Sequence, residues 1–484
     1  RGEVLDGIAA EDGGKAWLHK EVFRRIRAKS LAKARAETKP VELSEYQTFL
    51  IGLQGVGPVG GERYDGEDGV MRVIEQLEGV ALPPSVWESS VLPARVRDYR
   101  PAMLDGLLSS GEIVWVGSKT TGSKAKEPGL VALHPADSLL LTVQDGEKNG
   151  EAPGEPVTLP DAVMAVLAPG GAYHANQLAG LTRAAWDASS ECVDESTGEI
   201  LPHPWSASQF EEALWSLVWQ GKVTNSSFDP LRSLGASSHA VKAPARASRR
   251  RVRVRVSVPA NMTGLWSAVP HADMQEASAE RVAIARIEAL LDRYGVIAPP
   301  MIDKERLDGG FSGLYPVLRR MEEHGALMRG MFVSGCGAAQ FASRQTVDAL
   351  RACAAEPSAV VLDATDPANL YGSVIAWPRT IGGFSIRPAR RSGASVVLRG
   401  GRLLAYAVPR SHHLLLAQDA DPALQQACNE LAYALQRNLR DGGIRGGVTF
   451  CDANDEPLTA RGEWSRILHV AGFVPVPQGM RLYC

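Results

Sequence analysis

Apolar positions along this chain alternate between two periods, and the alternation recurs. Spacings of three and four residues predict helices over 44–53, 70–77 and 101–108. Two short apolar runs follow, at 112–117 and 129–133, separated by a polar loop that carries Lys119, Lys124 and Lys126. Helices followed by a two-stranded ribbon with a basic tip form the plan of a winged helix. A second unit opens a helix at Tyr173-His-Ala-Asn-Gln-Leu178. It continues with a longer helix over 208–220, whose Phe210, Leu214, Leu217 and Val218 share one face and which Gly221 caps. In a third unit, helices over 277–294 and 310–324 precede apolar runs at 327–333 and 339–342, around Ser334-Gly-Cys-Gly337. No fixed period of identical residues accompanies the recurrence, so the repeat is one of architecture.

The two ends of the chain differ from this plan. Over 15–39, Trp17, Val22, Phe23, Ile26, Ala28 and Leu31 fall on a helical stripe that Pro40 ends. Nine Lys or Arg residues lie on the rest of that helix and read as a solvated face rather than a phosphate-contacting one. After Glu356, apolar segments at 360–362, 372–376, 394–398, 402–408 and 413–417, split by Gly and Pro, predict a small antiparallel barrel or sandwich. A helix over 422–437 closes it. The expected fold class is α+β: tandem winged-helix domains followed by a small antiparallel β-barrel and an α/β C-terminal tail. The expected boundaries are 1–40 for a basic leading helix ending a preceding domain, then 41–150, 158–242 and 261–356 for three winged helices. An arginine-rich linker or strand fills 243–260, and the barrel and tail fill 357–484.

Composition narrows the class. With 45% hydrophobic and 22% charged residues the chain is globular, and no run approaches the roughly 18 apolar residues of a membrane span. It begins at Arg1, and a piece of a longer protein is therefore expected. The charged, glycine-containing stretch 1–14 shows no signal peptide. Cysteines at 192, 336, 353, 428, 451 and 484 show neither Cys-x-x-Cys pairing nor zinc-ligand spacing. Reduced structural thiols of a cytoplasmic protein, and no metal, are the reading. Net charge is −3, but its distribution matters more. From Pro230 to Ala272 there is no acidic residue, while Arg246, Arg249, Arg250, Arg251, Arg253 and Arg255 crowd ten positions. Arg251-Val-Arg-Val-Arg-Val256 has the alternation of an exposed edge strand, and its lack of counter-charge equally suits nucleic acid. Both readings stay open.

Motifs of chemistry are scarce. Gly117-Ser-Lys-Thr-Thr-Gly122-Ser-Lys124 inverts the last two residues of a phosphate-binding loop and falls in the expected wing. Asp194-Glu195 and Asp455-Glu456 lack the His of a helicase box, so no ATP hydrolysis by this chain alone is expected. Gly55-Val-Gly57-Pro-Val-Gly60 follows a helix and contains proline, which suits a loop rather than a dinucleotide site. His412-His413 has no further ligand in spacing, and Trp205, Trp215 and Trp219 read as core packing rather than base-stacking platforms.

Several long phrases resemble the Lhr (large helicase-related) family. They are Leu92-Pro-Ala-Arg-Val-Arg-Asp-Tyr-Arg-Pro-Ala102, Trp219-Gln-Gly-Lys-Val-Thr-Asn225 with 228–231, and Gly310-Phe-Ser-Gly-Leu-Tyr-Pro-Val-Leu-Arg-Arg320 with Met331-Phe-Val-Ser-Gly335. Phe341 and Thr365-Asp-Pro-Ala-Asn-Leu-Tyr-Gly372 extend the resemblance over nearly the whole chain. It implies a C-terminal, non-motor region of a superfamily 2 helicase that translocates 3′ to 5′ in DNA repair. ATP and Mg²⁺ would belong to the parent's upstream motor domains, with no cofactor in this chain. The expected partners are single-stranded or tailed duplex DNA and further copies of the chain, in the cytoplasm with the nucleoid.

In this family the region is similar to AlkZ-type winged-helix DNA glycosylases, which raises base excision, of uracil or a damaged base, as the alternative. Those enzymes place Gln-x-Gln or Gln-x-Asp after a helix ending in Gly-Val. Here Val73-Ile-Glu-Gln-Leu-Glu-Gly-Val80 is followed by Ala81-Leu-Pro83, so that signature is missing. Asp452, Asp455 and Glu456 are the substitute carboxylate candidates, although Asn454-Asp-Glu-Pro457 is equally a plain turn. Winged-helix geometry makes Lys119, Lys124, Lys126, Arg319, Arg320 and Arg329 the expected DNA contacts, joined by Arg246, Arg249, Arg250 and Arg251.

Overall fold

Local chemistry sets the ends of the helices that carry the fold. Pro101 starts the helix Pro101–Ser110, where its missing N–H costs nothing, and Gly111 ends it at φ 78°, a left-handed position that favours glycine. Thr158 and Asp161 close a capping box on Leu159–Leu167, and Ser206 and Ser278 cap Ala207–Trp219 and Ala279–Tyr294. A computed structural model describes residues 4–9, 15–23, 25–26, 29, 39–57, 63–118, 128–142, 158–188, 192–193, 200–201, 205–237, 259–270, 278–307, 309–353, 358–381, 384–418, 423–440, 447–458 and 462–483.

Among these, the helices Leu43–Leu53, Gly66–Gln76 and Pro101–Ser110 precede an antiparallel ribbon of Ile113–Ser118 and Leu130–Pro135. In the second unit Val223–Asn225, Leu265–Ala268 and Tyr173–His174 form a three-stranded sheet beside the helices Ala175–Ala188 and Ala207–Trp219. In the third, the helices Ala279–Tyr294, Pro299–Glu305 and Gly310–Glu323 stand with the sheet Val296–Ile297, Gln340–Ala342 and Met328–Gly330.

The apolar faces of these units merge. One core joins the first and second units through Trp87, Trp115, Phe210, Trp215, Phe228 and Trp266. Trp215 and Trp266 meet edge to face at 5.6 Å, and the Trp87 indole donates to the Val131 carbonyl at 2.8 Å. The Trp219 ring lies so close to Gly129 that a Cβ there would come within 2.7 Å of it. Trp215 and Trp219 are therefore packing residues, as the pattern suggests.

A second core belongs to the third unit, and the helix Leu43–Leu53 buries Tyr46, Phe49 and Leu50 in it. The chain ahead of that helix is tied in as well, because Val41 donates to the Phe332 carbonyl and Ser334 to the Val41 carbonyl, each at 2.8 Å. Fully buried Gln340 pins the turn between the two ribbon strands. Its Oε1 accepts from the backbone N–H groups of Phe332 and Val333, and its Nε2 donates to the carbonyls of Val333 and Gly337.

Three expectations change. Lys15–His19 is a strand paired antiparallel with Val4–Ala9, not the start of a helix. Among the described residues that follow, helix is present at 20–23, 25–26 and 29. Residues 372–376 make a turn rather than a strand, with a single bridge from Tyr371 to Ile375. Gly372 at φ 78° packs against Trp377 so closely that a side chain there would clash. The C-terminal strands form an open sheet among the described residues, with no barrel closure. Their order is Ala359–Asp363, Ser395–Arg399, Arg402–Val408, His413–Leu416, Asp452–Ala453, Glu456–Pro457. The first and last strands remain edges, and the helix Ala423–Arg440 covers the sheet in place of further strands. A separate three-stranded sheet joins Val448–Phe450, Gly479–Leu482 and Val474–Val476.

A buried polar junction joins the first unit, the third unit and the C-terminal sheet. Arg95 and Asp366, both fully buried, form a two-pronged ion pair at 3.0 and 2.8 Å. Arg95 also donates to Gln54 Oε1 and to the Val91 carbonyl, and Gln54 Nε2 donates to the Arg293 carbonyl. Gln47 brackets the same segment, donating to the Ala368 carbonyl and accepting from the Leu370 N–H. Lys304 Nζ donates to the Pro367 carbonyl at 2.9 Å and sits 5.2 Å over the Tyr294 ring. Its burial, reinforced by the positive charge of Arg390, pushes its pKa down to about 7.

Breaking a buried pair strands a charge, so Arg95→Met alone should destabilise the protein by about 3–5 kcal/mol, while Arg95→Met with Asp366→Leu should recover most of the loss. Denaturant unfolding of the two variants checks this. Lys304 predicts a pH effect of definite sign. Between about pH 7 and pH 9 the unfolded chain holds a proton at Lys304 that the folded chain has released, so stability rises with pH there. Lys304→Met should flatten that rise in pH-dependent unfolding curves.

Candidate functional site

The expected phosphate contacts divide into two groups. Lys119, Lys124, Lys126, Arg246, Arg249, Arg250 and Arg251 lie outside the described residues. Arg319, Arg320 and Arg329 are described, and all three belong to the third unit. Arg319 pairs with Glu323 one turn along Gly310–Glu323 at 3.1 Å, and Arg320 reaches Glu280 on Ala279–Tyr294 at 2.8 Å. Arg329, on the strand Met328–Gly330, lies 5.7 Å over the ring of Tyr315 from that helix. The Arg319 and Arg320 pairs are solvent-exposed, and such pairs contribute about 0–1 kcal/mol, so phosphate oxygens could replace the carboxylates at little cost. Arg232, from the acid-free stretch, is committed elsewhere. It bridges Glu88 at 2.7 Å, Asp105 at 2.8 Å and Asp229 at 2.7 Å.

The three C-terminal carboxylates form a turn. Asn454 and Asp455 adopt left-handed φ values of 54° and 62°. Asp455 accepts from the Ser385 N–H at 2.7 Å and from its hydroxyl, and these bonds hold its carboxyl below the usual range. Asp452 meets His413 Nδ1 at 2.7 Å, and Glu456 is exposed. Buried Asn454 ties the turn to the sheet, accepting from the Leu416 N–H and donating to its carbonyl. None of the three carboxylates lines the cavity described next.

That cavity, of about 240 Å³, lies where the first and third units meet. Its polar wall is Glu78, His134, Arg286, Arg293 and Glu305. Its apolar wall includes Val116, Leu141, Val269, Leu290 and Leu307. Glu78 sits in the tight turn that ends the helix Gly66–Gln76, where Gly79 takes φ 76°. Three bonds hold the turn. The Gly79 N–H donates to the Leu133 carbonyl at 3.1 Å, the Glu78 carbonyl accepts from Arg293, and the Glu78 carboxylate meets His134 Nδ1 at 3.0 Å. Glu78 and His134 side chains are only 11% and 10% exposed, so their pairing is little screened by water.

Arg293 is fully buried and also bonds Glu305 at 2.5 Å. Burial would lower the Arg293 pKa, but Glu305 at contact more than offsets this and raises it. Burial likewise opposes ionisation of Glu305, yet Arg293 and the hydroxyl of Tyr294 hold its carboxyl below the ordinary value. Both groups are thus charged and paired. Among the described residues no cluster of three His, Cys, Asp or Glu side chains is placed to hold a metal ion. No helix there is long and apolar enough to cross a membrane.

Sequence patterning did not single out Glu78 or His134. They are 56 positions apart, and no periodicity links a helix-end carboxylate to a ribbon-strand histidine. The turn 78–80 was visible as the end of the helix compared with the glycosylase signature. Glu78 precedes Gly79-Val80, outside the positions at which that comparison looked for polar residues.

Comparisons with known proteins bear on these units directly. Two family models match, both described as large helicase-related protein, winged-helix domain. One is the third such domain, over residues 41–136, and the other the fourth, over residues 276–361. Lhr helicase/uracil glycosylase of Escherichia coli (strain K12) is 38% identical over 498 residues, covering 96% of this chain and 30% of that protein. Lhr helicase/ probable uracil glycosylase of Mycolicibacterium smegmatis is 37% identical over 507 residues, covering 99% of this chain and 31% of that protein. The chain thus spans about 30% of the length of these curated relatives. Among solved structures, Streptomyces sahachiroi DNA glycosylase AlkZ aligns with 82% of this chain and 97% of its own at 15% identity and a TM-score of 0.47. The chain thus carries two winged-helix domains of the large helicase-related (Lhr) type and is similar, at 37–38% identity along nearly all its length, to about 30% of two Lhr proteins.

Proposed function

We propose that this chain is the DNA-holding, C-terminal winged-helix module of an Lhr-type 3′–5′ helicase that acts in DNA repair. The observation that carries the reading is the third unit. Its helix Gly310–Glu323 presents Arg319 and Arg320, its ribbon presents Arg329, and two of the three are held by exposed ion pairs that phosphates can displace. ATP and Mg²⁺ serve motor domains outside this chain. Single-stranded or tailed duplex DNA is the partner, with Lys119, Lys124, Lys126, Arg246, Arg249, Arg250 and Arg251 adding phosphate contacts. The module also brings copies of the protein together in the cytoplasm.

The second reading is base excision. The curated relatives carry uracil glycosylase in their names, and the paired Glu78 carboxylate and His134 imidazole in a small cavity favour it here. A carboxylate so placed can stabilise a sugar cation or take a proton from attacking water.

Fluorescence anisotropy on a labelled single strand, across a salt series, tests the first reading. Each phosphate contact on a single strand contributes about −0.7 to the slope of log affinity against log salt. Arg319→Glu, Arg320→Glu and Arg329→Glu together should weaken binding at least about tenfold at low salt and make the slope shallower by about two. Unchanged affinity and slope would remove these residues from the interface. The second reading is tested by single-turnover incubation with a uracil-containing strand followed by alkali. Scission should appear with the intact chain, and its absence leaves the DNA-holding reading alone.

A further inference from the structure

We infer that the C-terminal sheet carries a second phosphate-binding surface, in which Arg379, Arg387 and Arg391 hold the backbone of a single nucleic-acid strand. The inference goes beyond the DNA-holding reading above, whose contacts belong to the winged-helix units and the linker between them.

Charge along the chain gives the first observation. From Pro367 to Gln418 there is no Asp, Glu or Lys, yet seven arginines fall there. Such a stretch has no carboxylate of its own to answer its guanidiniums. Residues 377–381 and 384–391 carry four of the seven, with Trp377 and Phe384 among them. Pro378 and Pro388 lack an N–H for a sheet ladder, and the described residues of this segment form no strand.

The fold fixes the segment against the sheet and divides its arginines. The Tyr406 hydroxyl, on the strand Arg402–Val408, donates to the Ala389 carbonyl at 3.0 Å and accepts from Arg391 Nε at 3.2 Å. The Trp377 ring meets Tyr406 edge to face at 5.6 Å and stacks on Tyr371 at 6.3 Å. Arg390 is half-buried and committed to the junction, donating to the carbonyls of Asn369, Tyr371, Thr365 and Asp366. Arg379, Arg387 and Arg391 are exposed. Lys304 of the third unit bonds the Pro367 carbonyl in the same junction, so the surface is fixed relative to that unit.

The carboxylates nearby are engaged. Asp366 pairs with Arg95, and Asp363 accepts from the N–H groups of Thr365 and Gly393. Among the described residues, Asp455 is the one carboxylate hydrogen-bonded to the segment, through Ser385, and Arg379, Arg387 and Arg391 form no ion pair. Positive charge is therefore left over, and a phosphate, which accepts two guanidinium N–H groups at once, suits it. Half-buried Trp377 and Phe384 expose part of their rings on the same segment, and aromatic rings beside arginines are what an unpaired base stacks on. A duplex hides the faces of its bases, so a single strand is the occupant.

Fluorescence anisotropy on a labelled oligothymidylate, across a salt series, tests the surface. Arg379→Gln with Arg387→Gln, which leaves the bond between Arg391 and Tyr406 in place, should weaken binding at least about fivefold at low salt. The slope of log affinity against log salt should become shallower by about 1.4, from two contacts at about 0.7 each. Arg379→Lys with Arg387→Lys keeps both charges and should keep the slope. Unchanged affinity and slope in the doubly neutralised chain, with the third-unit variant still weakened, overturns the surface and leaves the DNA-holding reading standing. Loss in the doubly neutralised chain alone upholds the surface and overturns that reading, and no loss in either overturns both. Polyglutamate at equal charge should displace the strand at least about tenfold less well than unlabelled oligothymidylate, because it offers no base to stack. Equal displacement makes the surface a dock for acidic protein and overturns the nucleic-acid assignment.

Discussion

Two charges removed from water hold this molecule in register. Burying an isolated carboxylate or guanidinium is prohibitively costly, so Arg95 and Asp366 are compatible with folding only when paired with each other. That requirement is geometric. Arg95 follows the π-helical turn Trp87–Val91 of the first unit, and Asp366 follows the first strand of the C-terminal sheet. A shift of either by an ångström would leave a buried charge without its partner. The demand extends further, since Arg95 donates to Gln54, Gln54 to the carbonyl of Arg293, and Arg293 to the carbonyl of Glu78. One continuous path of hydrogen bonds therefore runs from the ion pair to the turn that lines the cavity. That path fixes the Glu78 carbonyl, and with it the turn whose carboxylate meets His134.

The winged-helix plan was legible because it is written in periodicity. The helices Pro101–Ser110, Ala207–Trp219 and Gly310–Glu323 fall within two residues of where apolar spacing puts them, and both ribbon strands of the first unit lie where the apolar runs are. The long phrases that mark the family are also accounted for, in a way that motif reading alone would not suggest. Arg95 belongs to the first phrase and Asp366 to the last, and they are each other's partner. Thr224, from the middle phrase, donates to the Trp115 carbonyl, and Tyr371 donates to that of Gly401. The bonds these residues make join segments distant in sequence, so the phrases mark packing positions.

What the pattern missed has physical causes too. Lys15–His19 has the composition of a helix and forms a strand because Val4–Ala9 is there to pair with it, which no window of a dozen residues contains. The C-terminal strands alternate as a barrel's would, but closure depends on which strands become neighbours, and a long helix covers the sheet instead. Glu78 and His134 come together only through the fold. Electrostatics was the least legible of all. Arg232 stands in a stretch without acidic residues, yet Asp229 just ahead of that stretch and Glu88 and Asp105 from a distant segment surround it.

The account's central claim is that the third unit holds DNA through Arg319, Arg320 and Arg329. Amide hydrogen exchange by mass spectrometry, on the chain alone and saturated with a single strand, tests it. The account expects slowed exchange in the helix Gly310–Glu323 and its ribbon strand Met328–Gly330. Protection elsewhere, with this region exchanging as in the free chain, would contradict it.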